Sequence, residues 1–338
     1  MVTISAPARP GTTVTGAPGR GRRPWYTVGC WLLAGLWTAV ALARWLGYDG
    51  DVWPLMALPA LTPYLTLGTL VPVTVCLLAR RWIAAGVTLC VLALLAALVV
   101  PRAVGAPDPV RGPALRVLTA NLAEGHARAR AVVDLVREQR VDVLAVAELP
   151  RRELTALTRA GLTDLLPYLV TNPGDTTTGG TALFSRYPVS DGQRIPLTDG
   201  FILTAGTVRV PGAQPVLVTV VHYCAPADPG QVACWEYGKS HVPPATPDGP
   251  VRLLLGDFNL TVDYAAMRNL LDTGYRDAAS VVGEGLTTTW PYDGSPLPRV
   301  AIDHVLADRR IGVSSVSAYQ VRSSDHRAVL AELTLPTG

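Results

Sequence analysis

Lysine is almost absent from this chain of 338 residues, and charged residues of every kind are scarce. Lys239 is the single lysine, so nearly every cationic contact must come from arginine. Charged residues make up 16% of the chain and hydrophobic residues 49%, whereas soluble domains carry about 25% charged residues. The mean hydropathy is correspondingly high, at +0.29. This composition excludes an ordinary soluble protein and indicates a membrane-embedded part.

Two other absences narrow the kinds of site that the chain can hold. The cysteines and histidines form no cluster with the ligand spacing of a zinc site. No internal repeat is visible. A zinc-dependent enzyme and a repeat protein are therefore both disfavoured.

The net charge of +3 hides a difference between two parts of the chain. Residues 1–102 hold 8 arginines and 2 aspartates, a net of +6, whereas residues 103–338 hold 21 basic and 24 acidic residues, a net of −3. Duplex binding relies on a basic surface that neutralises phosphates. The second part is poorly supplied for that task, although a local arginine patch would still serve it.

Three apolar runs account for the hydrophobic excess. They extend from Trp25 to about Gly47, from Trp53 to Ala79 and from Trp82 to Val100, and each is long enough to cross a bilayer, which takes about 20 residues. The second run contains four prolines, which predict a kinked or late-starting helix. A cleaved signal peptide is the alternative interpretation of the first run, and the two further runs argue against it.

These patterns divide the chain into four parts. They are a disordered tail over residues 1–24, a three-helix transmembrane anchor over 25–101, a linker over 102–114 and a soluble domain over 115–338. The short-loop arginines, in the pairs Arg22-Arg23 and Arg80-Arg81, predict that the tail and the second loop are cytoplasmic. Three spans then place the soluble domain outside the cytoplasm, as part of a multi-pass protein of the cell membrane.

The soluble domain is predicted to contain many short strands and few helices. Helices are predicted over residues 127–140, 151–159 and 263–271. Strand patterns separated by turn residues are predicted over 115–119, 141–147, 181–185, 202–210, 216–221, 251–255, 301–306, 313–320 and 327–335. About 225 residues suit one large core. The pattern predicts an α/β domain in which two packed sheets are flanked by helices.

The most informative stretch is Leu253-Leu254-Leu255-Gly256-Asp257-Phe258-Asn259. Three apolar residues predict a buried strand, and side chains two positions apart on an extended segment share a face. Asp257 and Asn259 would then enter one cavity as a proton acceptor or cation ligand beside a neutral donor, a pairing suited to phosphate esters. The alternative is an Asx turn that ends a strand.

Other polar residues follow apolar strands in the same way. Each has a structural explanation when taken alone, because polar groups are common at strand ends. They are Asn121, Glu148, His222, the pair Asp303-His304 and the triplet Ser324-Asp325-His326.

In this order, and together with Thr289-Trp290, these motifs resemble the endonuclease/exonuclease/phosphatase superfamily, over residues 115–335. The resemblance implies a four-layered α/β/β/α sandwich, here preceded by three transmembrane helices. It also implies phosphoester hydrolysis supported by Mg²⁺ or Mn²⁺. A membrane-anchored bacterial subgroup linked to teicoplanin resistance has the same layout, and the chain is similar to it.

The resemblance implies metal-side roles for three residues. Glu148 would be the principal metal carboxylate, Asn121 would contact metal-bound water or phosphate, and Asp325 would be a second acidic metal contact. Some nuclease members carry Asn-x-Asp after the first strand, whereas this chain has Asn121-Leu122-Ala123. One ligand of those relatives is therefore missing, and Glu124 is a candidate substitute.

Five further residues are implied to be catalytic. Asp257 would orient or deprotonate the attacking water, and Asn259 would hold the pentavalent phosphate. His222 would contact phosphate. His326 would lie beside the scissile phosphate with Asp303 paired to it. The chemistry makes the same demand, because a phosphodiester repels hydroxide unless a cation neutralises it and a base prepares water.

Cys224 and Cys234 are the two cysteines of the soluble domain, and we expect a disulfide between them if that domain faces an oxidising exterior.

Three functions are compatible with these features. The first is an outward-facing phosphoesterase acting on a lipid-linked or envelope phosphate or pyrophosphate, such as a polyprenyl pyrophosphate, with the bilayer as its second partner. The second is a tethered extracellular nuclease acting on DNA or RNA. The third is a scaffold without catalysis.

Overall fold

The computed structural model describes residues 24–50, 55–109, 111–175, 178–225 and 229–338. Residues 1–23, nearly all of the tail predicted to be disordered, lie outside the described residues. The remaining chain forms a helical anchor followed by an α/β domain.

The anchor consists of three helical segments. They are α1 (Pro24–Trp45), a broken segment of two 3-10 turns (Leu55–Ala57 and Pro59–Leu61) with α2 (Thr62–Gly68) and α3 (Leu70–Leu78), and α4 (Trp82–Val99). Within the described part of the chain, three stretches are long and apolar enough to cross a membrane: Trp25–Trp45, Leu55–Leu78 and Trp82–Ala103. The break in the second segment falls where its prolines predict it, because proline lacks the N–H that an α-helix needs.

The linker lies along the α/β domain and is bonded to it. The Ala106 amide donates to the Val281 carbonyl, and the backbone N–H of Asp108 donates to the Val313 carbonyl. The Asp108 carboxylate accepts from the Val313 amide at 3.0 Å and pairs with Arg276 at 2.7 Å. The linker is therefore fixed to the surface of the domain by hydrogen bonds and an ion pair.

A second set of contacts joins the anchor to the domain, and we call it the junction. Arg102 makes a two-pronged ion pair with Asp263, 3.0 Å in each prong, and both are nearly buried. Asp49 accepts from the amides of Ala265 and Ala266, at the positive end of the helix that begins there. Arg268 donates to the Arg44 carbonyl at 3.2 Å.

Two six-stranded sheets form the centre of the domain. Their strands are β1 (Ala114–Asn121), β2 (Val143–Ala147), β3 (Tyr168–Asn172), β4 (Thr181–Ser185), β5 (Val189–Pro196), β6 (Ile202–Val208), β7 (Val216–His222), β8 (Val251–Asp257), β9 (Tyr275–Asp277), β10 (Asp303–Asp308), β11 (Gly312–Gln320) and β12 (Arg327–Thr334). The order is β11-β12-β1-β2-β4-β3 in the first sheet and β5-β6-β7-β8-β10-β9 in the second.

Helices cover the outer face of each sheet. They are α5 (Ala129–Glu138), α6 (Arg151–Arg159) and α7 (Leu162–Leu165) on the first sheet, and α8 (Val232–Lys239) and α9 (Ala265–Asp272) on the second, with α10 (Ala278–Val281) beside the linker. These are the four α/β/β/α layers that were predicted, preceded by three long apolar helices.

The alternation of side chains along each strand fills two cores at once. On β1, Val117 enters the cluster between the sheets, and Leu118 enters the cluster beneath α5 and α6. On β8, Leu253 faces the other sheet, and Leu254 faces α8 and α9. Successive side chains of a strand point to opposite faces. Strands buried on both faces therefore show the unbroken apolar runs seen in the sequence.

Candidate active site

The site lies where two parallel strand pairs end together. β1 pairs with β2 in the first sheet and β7 with β8 in the second, both in parallel. Asn121 is the last residue of β1, and Glu148 directly follows β2. The register places His222 opposite Asp257, and the antiparallel β10 places Asp303 on its other side. Packing of one sheet on the other thus brings five polar side chains to one end of the sandwich.

Unusual backbone conformations hold two of these residues in place. Glu148 and Asn259 have φ values of 55° and 48°, in the left-handed region that residues other than glycine rarely adopt. Such conformations cost about 1–3 kcal/mol each and persist where the surrounding structure enforces them. Gly256 leaves no room for a side chain, because a Cβ at this position would lie 1.8 Å from the Val221 carbonyl oxygen. Glycine here lets β8 approach β7 directly before Asp257.

Asn121 connects the acidic residues of the two sheets. Its Nδ2 donates to Glu148 Oε1 at 2.9 Å and to Asp257 Oδ2 at 3.0 Å. Its Oδ1 accepts from the Ala123 amide, and the Glu124 amide donates to the other oxygen of Glu148. In this arrangement Glu124 supplies its backbone to the site. The metal-side role of Asn121 stays a prediction.

His326 is held between two carboxylates. Its Nδ1 donates to Asp303 Oδ2 at 2.8 Å, and its Nε2 lies 3.8 Å from Asp257 Oδ2. Burial lowers the pKa of His326, but Asp303 and Asp257 outweigh it and raise this pKa to about 10. Burial and the neighbouring Asp303 raise the pKa of Asp257 to about 7. The arrangement favours an imidazolium beside a carboxyl group able to accept a proton near neutral pH.

The other two predicted catalytic residues lie beside this pair. His222 Nε2 is 3.6 Å from Glu148 Oε1 and 4.0 Å from Asp257 Oδ2. Burial lowers the pKa of His222, which favours the neutral ring. Asn259 donates from Nδ2 to the Tyr223 carbonyl at 2.7 Å, and its backbone amide donates to Asp257 Oδ1. Asn259 therefore fixes the orientation of Asp257 from one side.

Asp325 lines the same cavity but is less closely grouped with the acids. Its Oδ2 accepts from the Trp290 indole at 2.9 Å. The neighbouring Thr289 hydroxyl accepts from the amides of Ile302 and Asp303. The Thr289-Trp290 pair thus holds the side chain of Asp325 and the backbone at Asp303, which gives a physical reason for its presence in the motif. The role of Asp325 as a metal contact stays a prediction.

The donor set fits a hard divalent cation. One ligand atom from each of Glu148, His222 and Asp257 lies within 4.8 Å of the others, and the same holds for Asp257, Asp303 and His326. These five residues are called the acid–histidine cluster below. Asp303 Oδ1 is buried and has no hydrogen-bond partner among the described residues. Carboxylate oxygens are the ligands that Mg²⁺ and Mn²⁺ favour, and a cation would relieve the crowding of three acids.

One further group of possible ligand atoms is of a different kind. It combines Asp199 with Cys224 and Cys234, but the two cysteines are joined by a disulfide in the structure. A disulfide sulfur is not a thiolate ligand. The bond instead closes the loop between β7, which ends at His222, and helix α8.

The acid–histidine cluster opens into a cavity of about 330 Å³. Its lining also contains residues that the sequence motifs did not indicate: Ala57, Ala60, Phe201, Tyr264, Val300 and Ile302. Ala57 and Ala60 belong to the start of the second apolar segment. No signal in the sequence could have found them, because small apolar residues in an apolar run carry no chemistry of their own.

Comparisons with solved structures show the fold. A protein from Beutenbergia cavernae DSM 12333, described as an endonuclease/exonuclease/phosphatase, is 19% identical, with a TM-score of 0.51 over 66% of this chain and 72% of that chain. Truncated Caenorhabditis elegans TDP2 is 18% identical, with a TM-score of 0.52 over 67% and 100%. D. rerio TDP2 complexed with a single strand DNA product is 17% identical, with a TM-score of 0.51 over 65% and 99%. No curated protein matches the chain.

The family is shown by the sequence itself. The model of the Endonuclease/Exonuclease/phosphatase family matches residues 118–326, a range that begins in β1 and ends at His326, and so spans every predicted site residue. Cavity, strand order and family model agree, and the chain belongs to the endonuclease/exonuclease/phosphatase family.

Proposed function

We propose that the protein is an outward-facing, membrane-anchored phosphoesterase that depends on a divalent cation and hydrolyses a lipid-linked or envelope phosphoester or pyrophosphate. One observation carries the proposal: the cavity that holds the acid–histidine cluster takes part of its wall from a helical segment long and apolar enough to cross a membrane. A phosphate group attached to a lipid would lie at that boundary. The layout supports the similarity to the teicoplanin-resistance subgroup.

The chain's own residues suggest how hydrolysis proceeds. Glu148, with Asn121 and Asp325 nearby, would hold Mg²⁺ or Mn²⁺, which would neutralise phosphate charge when bound. Asp257 orients water and accepts its proton as the new P–O bond forms. His326, kept protonated by Asp303, stabilises charge on the phosphate or donates a proton to the departing oxygen. His222 and Asn259 hold the phosphate oxygens.

The orientation is part of the proposal and has two supports. Arg80 and Arg81 lie between the second and third apolar segments, at the end of α4 that is opposite to Arg102 and the catalytic domain, as expected for a cytoplasmic loop. The Cys224–Cys234 disulfide is typical of an oxidising exterior. A reporter fused after Gly338 tests it: activity of a reporter that functions only outside the cytoplasm supports the proposal, and a reporter active only in the cytosol overturns it.

The substrate is tested with the full-length protein in nanodiscs and Mg²⁺. A polyprenyl pyrophosphate, a phospholipid and plasmid DNA are offered separately, with Asp257→Ala as the inactive control. Phosphate release from a lipid substrate alone supports the proposal. Nicking of the plasmid with no lipid hydrolysis would support the nuclease alternative, which the family name and the DNA complex of D. rerio TDP2 keep in view.

A further inference from the structure

The cavity joins two surfaces of opposite character. The acid–histidine cluster supplies charged groups suited to a cation and a phosphate group, yet much of the remaining lining is apolar. The apolar part comprises Ala57, Ala60, Phe201, Trp290, Val300 and Ile302. Pockets of this kind bind ligands that carry an apolar group beside a polar one. A short, hydrophilic phosphoester would leave the apolar part of the wall without a partner.

The apolar wall that comes from the anchor is fixed to the catalytic domain. Met56, directly before Ala57, is 1% exposed and packs in the same hydrophobic cluster as Trp235 of α8 and Met267 of α9. The Tyr264 hydroxyl donates to the Met56 carbonyl at 2.8 Å. The start of the second apolar segment is therefore part of the domain core, and Ala57 and Ala60 face the cavity from a rigid support.

The opposite wall is tied to the same segment further along the helix. The Tyr64 hydroxyl donates to the Arg299 carbonyl at 2.7 Å, directly before Val300. Tyr64 and Leu67 are 45% and 68% exposed on the outer surface of the anchor. Ala60 and Val300 therefore line the cavity beside the segment whose exposed side chains would contact hydrocarbon in a bilayer.

We propose that Ala57, Ala60, Val300 and Ile302 form a subsite for the first methylene or isoprene units of the substrate's hydrocarbon chain, entered from the bilayer. This inference rests on the proposed function and adds a specificity determinant to it. The second apolar segment then becomes part of the substrate-binding site through Ala57 and Ala60. In this proposal the acid–histidine cluster binds the phosphate group, and the anchor residues give the site its preference for a lipid.

The test measures binding, so that it does not depend on turnover. Full-length protein with Mg²⁺ is titrated with methylphosphonate and with octylphosphonate, whose P–C bonds a phosphoesterase does not cleave. We expect octylphosphonate to bind at least about tenfold more tightly, because burial of two methylene groups already suffices for this factor. In Ala60→Trp the ring fills the subsite, and the ratio of the two dissociation constants should fall towards one.

Leu67→Trp is the matched control. It places the same side chain on the same segment, at an exposed position outside the cavity, and should keep the wild-type ratio. Thermal unfolding of both variants shows whether Ala60→Trp is folded, and Ala60→Leu serves as a smaller probe of the same wall. The subsite is overturned if the wild type binds the two phosphonates equally. It is also overturned if Leu67→Trp lowers the ratio of the two dissociation constants as much as Ala60→Trp does.

The outcomes separate the subsite from the proposed function. If both phosphonates bind equally well, the phosphate site stands and the chain subsite is wrong. If neither binds in the presence of Mg²⁺ while the protein is folded, the phosphate site and with it the proposed function fail. A tenfold preference that Ala60→Trp abolishes and Leu67→Trp retains supports both.

Discussion

The acidic side chains of the junction and those of the acid–histidine cluster have partners of opposite kinds. At the junction, each acid is matched: Asp263 has the guanidinium of Arg102, and Asp49 has two backbone amides. In the acid–histidine cluster, Glu148, Asp257 and Asp303 converge with His326 as the cation among them. Matched acids indicate a structural role, whereas crowded acids indicate a place for a positively charged ligand.

The largest effect expected from this difference is the loss of activity in Asp257→Asn. Removal of the proposed proton acceptor should lower the rate by about 10²–10⁴-fold. The stability of the cation-free protein should stay the same or rise, because the repulsion between Asp257 and Asp303 is relieved. Hydrolysis rates and thermal unfolding in EDTA measure the two effects. A variant that unfolds more easily yet keeps its activity would contradict the comparison.

The junction should respond in the opposite way. Arg102→Met leaves Asp263 buried without its partner, which should cost about 3–5 kcal/mol in the free energy of unfolding. The double variant Arg102→Met with Asp263→Leu should recover most of that loss.

A surface pair provides the control for this experiment. Arg137 and Asp134 are also 3.0 Å apart, but their side chains are 56% and 60% exposed. Arg137→Met should change stability by less than about 0.5 kcal/mol. Equal losses in Arg102→Met and Arg137→Met would show that burial does not distinguish the two pairs.

Addition of Mg²⁺ or Mn²⁺ should stabilise the folded protein through the acid–histidine cluster and leave the contribution of the junction unchanged. At a concentration of 100 times the dissociation constant, a cation that binds only the folded protein stabilises it by about 2.7 kcal/mol. The melting temperature should therefore rise on addition and fall again with EDTA. Glu148→Gln should remove most of the increase, whereas Arg102→Met should retain it despite its lower starting value.

The smallest effect concerns the acid of the linker. The hydrogen bond from Arg276 lowers the pKa of Asp108, against the opposing effect of burial. The stabilisation is present above the ordinary aspartate pKa of about 3.9 and is lost as the pH falls through the lowered value. Asp108→Asn should flatten the pH dependence of stability below about pH 4 and leave it unchanged near pH 7. An identical acid limb in both proteins would contradict this.

Much of the fold could be predicted because its central strands are buried on both faces. The runs around Val143, Thr181 and Leu253 show uninterrupted apolar character, and the structure has strands there. β3 and β5 were missed because they are half-buried or exposed strands at sheet edges, and β9 because it has only three residues. Half-buried or exposed edges need no apolar pattern, and β5 also contains an irregularity between Ser190 and Gln193. Helix α8 was missed because its apolar residues, Val232 to Trp235, are consecutive in the sequence rather than spaced at a helical period.

The site was predictable where polar residues end apolar strands, since their chemistry is visible in a sequence. The structure brings these residues together, and their individual roles stay predictions. The wall formed by Ala57 and Ala60 was not predictable. It depends on the packing of the anchor against residues such as Tyr264, more than 200 positions away, which local periodicity does not encode.

The fastened linker has a consequence for how the substrate arrives. Since Arg102, Ala106 and Asp108 are all bonded to the domain, the cavity keeps one height above the membrane in the proposed setting. A lipid substrate would then reach the cavity by lateral diffusion in the bilayer, where confinement raises its effective concentration. A soluble polymer such as a nucleic acid would have to approach the membrane surface to reach the opening of the cavity.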